Sequence, residues 1–119
     1  TPSHGLSDEE VEEMLIASLE HAEEDVNLRF LVEARVEAER VVQDLHKALA
    51  ADPELVTDEE REAIAQAEAR LREAFHGTDH ERIKLAIADL DAASAPFAQR
   101  RMERAIQQAL TGRSVGEFD

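Results

Sequence analysis

The chain reads as an all-α protein: a long N-terminal helix or kinked helix pair followed by a three-helix antiparallel bundle, five helical segments in all. Three observations predict this. Residues 19–49, LEHAEEDVNLRFLVEARVEAERVVQDLHKAL, contain no glycine and no proline and keep their apolar positions at helical spacing. Three stretches have capping-box form, SDEE from Ser7 to Glu10, TDEE from Thr57 to Glu60 and TDHE from Thr78 to Glu81. No run of alternating polar and apolar residues competes, so strand content is expected near zero.

Each element follows from its stripe and its stops. The first segment starts at Ser7 and carries Val11, Met14, Leu15, Leu19 and Ala22. The second continues with Val26, Phe30, Leu31, Ala34, Ala38, Val41, Leu45 and Leu49, and ends at Ala51-Asp52 because the residue before Pro53 is steered away from helix. A third segment begins at Thr57, stripes Ile64, Ala67, Leu71 and Phe75, and is expected to close in a left-handed cap at Gly77. The fourth, after Thr78, carries Ile83, Ile87, Leu90 and Ala93 up to Pro96. Pro96 suits a first helical position, so a fifth segment is expected there, with Ala98, Met102, Ala105, Ile106 and Leu110, closed by Gly112.

The first two segments together span more than forty residues, roughly 60 Å of helix, and the later helices are too short to cover it all. The expected division is a junction at residues 1–6, extended helices at 7–33, a bundle at 34–111 and a short tail at 112–119. The apolar stripe of Val11, Met14, Leu15, Leu19, Ala22, Val26 and Phe30 is then left without an internal partner. Such a stripe marks a docking surface.

Composition narrows the function. With 119 residues the chain is one domain's worth at most, and its only aromatic residues are four phenylalanines. Thirteen Lys and Arg against 28 Asp and Glu give a formal charge of −15, which repels nucleic-acid phosphates and anionic membrane surfaces. Without cysteine there is no disulfide framework and no thiolate metal site. The first ten residues, TPSHGLSDEE, lack the basic and apolar runs of a signal peptide, and no stretch reaches the apolar length of a membrane span. A soluble chain is expected, with which a reducing cytosol is compatible.

Candidate chemistry is sparse. His76 and His80 are four residues apart, but Gly77 and a capping box lie between them, so they straddle a turn and carry no metal expectation. Acidic runs such as Glu23-Glu24-Asp25 lack the concave, partly dry pocket that general acid–base catalysis needs. No nucleophile, phosphate-loop or calcium-loop motif occurs. No catalytic, cofactor or metal residue is therefore assigned, and the chain is not expected to be an enzyme by itself. Arg100, Arg101 and Arg104 are expected to neutralise neighbouring helix faces, with docking of an acidic partner as the alternative.

Four stretches, PSHGLSDEEVEEM, AEEDVNLRFLVEARVEAERVV, LHKALAADPEL and FAQRRMERAIQQALTGRSV, together resemble the C-terminal helical lid of DnaK-type (seventy-kilodalton heat-shock class) chaperones. The last is most similar to the HscA branch of that family, which serves iron–sulfur cluster assembly. The resemblance implies a lid closing over client peptide held in a β-sandwich. It also implies control by an ATP- and Mg-binding domain elsewhere in the full-length protein, with bacterial cytoplasmic location. The expected partners are that sandwich, the client, an iron–sulfur scaffold protein and a J-type cochaperone. Residues 1–6 would then be a junction from the sandwich, and the chain an excised piece. Asp25 and Glu39 match family positions that make ionic latches, with Glu39 standing where the general chaperones have aspartate, and Arg35 matches a family arginine. The other readings are a self-contained adaptor binding a partner helix, and self-association through the bare stripe.

Overall fold

A computed structural model describes residues 7–118, with side chains described as far as Gly112. The junction expected at residues 1–6, and His4 with it, lies outside the described residues. The fold is helical as expected, but the helices number three among the described residues, joined by a short 3-10 turn: α1 Asp8–Ala51, the turn Pro53–Leu55, α2 Asp58–Phe75 and α3 His80–Phe118.

The first and second expected segments are one unbroken helix of 44 residues, roughly 66 Å long. Ser7 caps it by accepting a hydrogen bond from the Glu10 amide at 3.2 Å, and Asp8, Glu9 and Glu10 place negative charge at the positive end of the helix dipole. α2 opens with the full reciprocal box: Thr57 Oγ1 accepts from the Glu60 amide and Glu60 Oε1 accepts from the Thr57 amide. At α3 the box expected from Thr78 is replaced. Asp79 Oδ1 accepts from the amides of Glu81 and Arg82, so aspartate caps one residue later.

Two of the expected stops do not stop the chain. Pro96 lies inside α3, so the fourth and fifth segments are collinear rather than antiparallel. The ring removes one backbone donor and crowds the preceding turn, but Phe97 immediately after it is 1% exposed and completes the face of Ile83, Ile87, Leu90 and Ala93. Burying that ring and anchoring the arginines beyond it holds the next turn on the same axis. Gly112 is also passed by the helix. A glycine ends a helix when it takes positive φ, and no glycine does so among the described residues. Gly77 closes α2 without that conformation too, its amide donating to the Ala74 carbonyl at 3.0 Å.

α3 packs along both α1 and α2 and is the central element. The core runs from Leu31, Ala34, Ala38, Leu45 and Ala48 of α1 through Ile64, Ala67, Leu71 and Ala74 of α2 to Ile83, Ala86, Ile87, Leu90 and Phe97 of α3. Its many alanines let the helix axes approach closely, as a chain poor in aromatics requires. Outside this core a single helix projects at each end, α1 before Leu31 and α3 beyond Arg104. The molecule is accordingly 91 × 38 × 16 Å.

Leu90, fully buried, and Leu19, 70% exposed, separate the two regimes. In urea denaturation Leu90→Ala is expected to lose about 2–5 kcal/mol, whereas Leu19→Ala stays within about 0.5 kcal/mol of the parent.

Candidate functional site

Every side chain from Ser7 to Phe30 is exposed. This arm presents Val11, Met14, Leu15, Leu19, Ala22, Val26 and Phe30 on one side, the positions expected for a docking stripe. Val11 and Phe30 are about two-fifths exposed and Met14, Leu15 and Leu19 more than half. Around the stripe the arm is acidic: Asp8, Glu9, Glu10, Glu12, Glu13, Glu20, Glu23, Glu24 and Asp25 face only Arg29 as a fixed positive charge. The surface is therefore apolar at its centre and negative at its rim.

The arm joins the bundle through a compact hinge. Phe30, the last residue of the stripe, stacks against His80 at the start of α3, ring centroids 5.2 Å apart. One turn on, Arg35 donates from Nε to the Phe75 carbonyl at 3.1 Å and from Nη2 to the Gly77 carbonyl at 2.8 Å. It also lies over the Phe75 ring, 5.9 Å from its centroid. A guanidinium from another helix thus satisfies carbonyls at the end of α2, a role the sequence assigned to a left-handed glycine. The spacing of Arg35 within its own helix carries no sign of this contact, which spans some forty residues. His76 turns its ring edge onto Phe75 at 5.4 Å, so the two turn histidines sit on different aromatic rings.

Among the described residues no hydrogen bond or ion pair joins any two of the three residues matched to latch or interdomain positions. Arg35 is engaged inside the bundle as described. Asp25 and Glu39 are exposed and make no ion pair among the described residues. Their spacing puts them roughly 21 Å apart along α1 and within about 40° of each other around its axis. Glu39 also borders an open groove between α1 and α2 whose floor is Ala38, Val42, Leu71 and Phe75.

The distal end of the bundle holds the arginine cluster. Arg100 forks onto both carboxylate oxygens of Glu60 and donates to the Leu55 carbonyl at 2.9 Å. Arg101 Nε donates to Asp52 Oδ2 at 2.8 Å, and Arg104 binds Asp52 Oδ1 at 3.0 Å and the Glu54 carboxylate. All three arginines are spent on the turn between α1 and α2, which accords with neutralisation of neighbouring faces. The hydrogen bond from Arg100, then that from the Thr57 backbone, hold the Glu60 carboxyl at a pKa of about 2. Arg101 lowers Asp52 and Arg104 lowers Glu54 in the same direction.

The class is that of an all-α chain in which a long helix leaves a small bundle with half its length free, its exposed apolar stripe flanked by acids. The comparisons then place it. The family model described as Hsp70 protein matches residues 1–103, and the chain belongs to the Hsp70 family. It is 46% identical over 117 residues to the chaperone protein HscA homolog of Mannheimia succiniciproducens. It is 46% and 47% identical over 116 residues to chaperone protein HscA of Escherichia coli O6:H1 and of Yersinia enterocolitica. Each match covers 98% of this chain and 19% of the relative, so the chain spans about a fifth of those proteins. Among the described residues no helix is long and apolar enough to cross a membrane.

Two outcomes are expected. Arg35→Ala should cost about 1–3 kcal/mol in denaturant titration, since it strands helix-end carbonyls that accept from a charged donor. The acidic groups of the distal turn have lower pKa values folded than unfolded, so their contribution is complete above about pH 4.5 and is lost as pH falls toward 2. Melting followed by circular dichroism should drop across that window, and more shallowly in Arg100→Gln.

Proposed function

We propose that this chain is the lid of an Hsp70-class chaperone: it closes over client peptide in a β-sandwich substrate-binding subdomain and slows the client's escape. The observation that carries this reading is the arm itself. Every residue of its apolar stripe is open to solvent along roughly 35 Å of helix, and that helix runs unbroken into a packed bundle. An element built this way meets a surface outside itself, and the bundle gives it weight and stiffness.

Asp25 and Glu39 act as the ionic latches, reaching basic groups on the sandwich and its loops. They are suited to this because their carboxylates are exposed and lie on a common side of α1. Arg35 contributes differently, by fixing the α2–α3 turn against α1 and so setting the direction in which the arm leaves the bundle. Each exposed latch is worth up to about 1 kcal/mol, so apolar docking of the arm supplies most of the closure and the latches tune it. Their share falls as salt screens them.

The chain performs no catalysis; ATP binding and hydrolysis, with Mg, belong to another domain of the full-length protein and open the lid. By its similarity to HscA the protein serves iron–sulfur protein maturation in the bacterial cytoplasm, with an iron–sulfur scaffold protein and a J-type cochaperone as partners.

Peptide release from the full-length chaperone tests both parts. Glu39→Gln should speed release by up to about fivefold at low salt, the difference shrinking at high salt. Leu19→Asp, at the centre of the stripe, should speed it further. An unchanged rate in Glu39→Gln removes Glu39 as a latch, and an unchanged rate in Leu19→Asp removes the lid reading and favours an adaptor that binds a partner helix.

A further inference from the structure

Helical geometry divides α1 into three faces. At about 100° per residue, the core residues Leu31, Ala34, Ala38 and Leu45 cluster about one direction. Leu19, Ala22, Val26 and Phe30 of the stripe cluster about a second, roughly 105° round the axis. A third direction, roughly 130° from the core and as far from that part of the stripe, carries Leu28, Val32 and Val36. These three are 59%, 57% and 57% exposed, since α2 and α3 pack on the core side.

Asp25 and Glu39 bound this third face. All five residues lie within a sector about 80° wide, with one carboxylate at each end of the apolar row. Arg29 and Arg40 run along one flank, both exposed and in no ion pair among the described residues. Nothing local accounts for the row. Valine is β-branched and loses side-chain freedom in a helix, so alanine or glutamate at positions 32 and 36 would favour α1 more.

We propose that Leu28, Val32 and Val36 form the apolar contact of the closed lid, seated between the two latches on the loop end of the β-sandwich. This rests on the lid function proposed for the chain and names the residues that make its grip. Charge selects the occupant. The face fits a surface that presents two cations about 21 Å apart, apolar groups between them and acids along one side. Such a pattern also fixes which way round α1 lies. A second copy of the face does not fit, because antiparallel pairing about Val32 sets Asp25 against Glu39 at both ends, and parallel pairing sets each acid against itself.

Length agrees. Leu28 to Val36 spans about 12 Å, close to the roughly 10 Å between the two sheets of a sandwich. The row therefore bridges both sheets, and the carboxylates beyond it reach loops on either side. Because the row and the stripe face different ways, the partner surface curves around α1 instead of meeting it flat.

Peptide release from the full-length chaperone, set beside the chemical reactivity of position 32, tests this. Val32→Asp and Val36→Asp should each speed release about tenfold. The helicity of this chain should be unchanged in both by circular dichroism, and the effect, unlike that of Glu39→Gln, should persist at high salt. Val32→Leu should release peptide at the parent rate. In Val32→Cys, maleimide labelling located by mass spectrometry should be several-fold slower in the peptide-bound full-length chaperone than in this chain alone. Equal labelling rates overturn the proposal. So does unchanged release in both aspartate variants while Leu19→Asp speeds it, a result that leaves the lid function standing. Unchanged release in all three removes the lid function, and this contact with it.

Discussion

The half of α1 between Leu31 and Ala51 is fixed by packing against α3 and α2, and nothing in the helix interrupts what that packing imposes on the other half. An isolated helix must first form a costly initial turn. Here the bundle supplies the nucleus, and the arm grows from it through Glu, Leu and Ala, residues that favour helix. Ser7 then closes the far end, with acids in the first turn. The arm is thus ordered before it meets anything, which removes a folding cost from docking.

Charge is distributed so that the two ends of the bundle are held and the arm is left uncommitted. At the distal end three arginines of α3 hold Asp52, Glu54, Glu60 and the Leu55 carbonyl, fastening the turn that α1 and α2 share. At the near end Arg35 binds the carbonyls of Phe75 and Gly77. With these cations used inside the bundle, the acids of the arm have only Arg29 beside them. A chain with charge −15 therefore presents most of its unbalanced field where it also presents its apolar stripe. A partner with basic groups around an apolar face is attracted and oriented by one surface.

Helical class, the exposure of the arm's apolar stripe and the core faces were legible because they rest on periodicity, which a sequence carries directly. Ser7 and Thr57 were legible as caps for the same local reason. What was not legible is contact between distant segments. Pro96 and Gly112 read as stops because each is a stop when only its neighbours are considered. The burial of Phe97 and the grip of Arg100, Arg101 and Arg104 on a turn some fifty residues earlier decide otherwise. Gly77 read as a left-handed cap because nothing nearby hints that Arg35 reaches its carbonyl. In the candidate site the stripe came from spacing, whereas Asp25 and Glu39 came from family resemblance, since an exposed carboxylate without a partner has no signature of its own.

Continuity of the helices is what separates the two free surfaces. Had α1 broken near His21, or α3 at Pro96, each apolar stripe could fold back on the bundle and be covered within the chain. Unbroken helices cannot do this, since bending one means giving up backbone hydrogen bonds along a full turn. The arm and the α3 end are therefore bare by construction. Their charges differ, because the arm carries nine acids against Arg29 while the stretch from Ala105 to Gly112 has no charged residue.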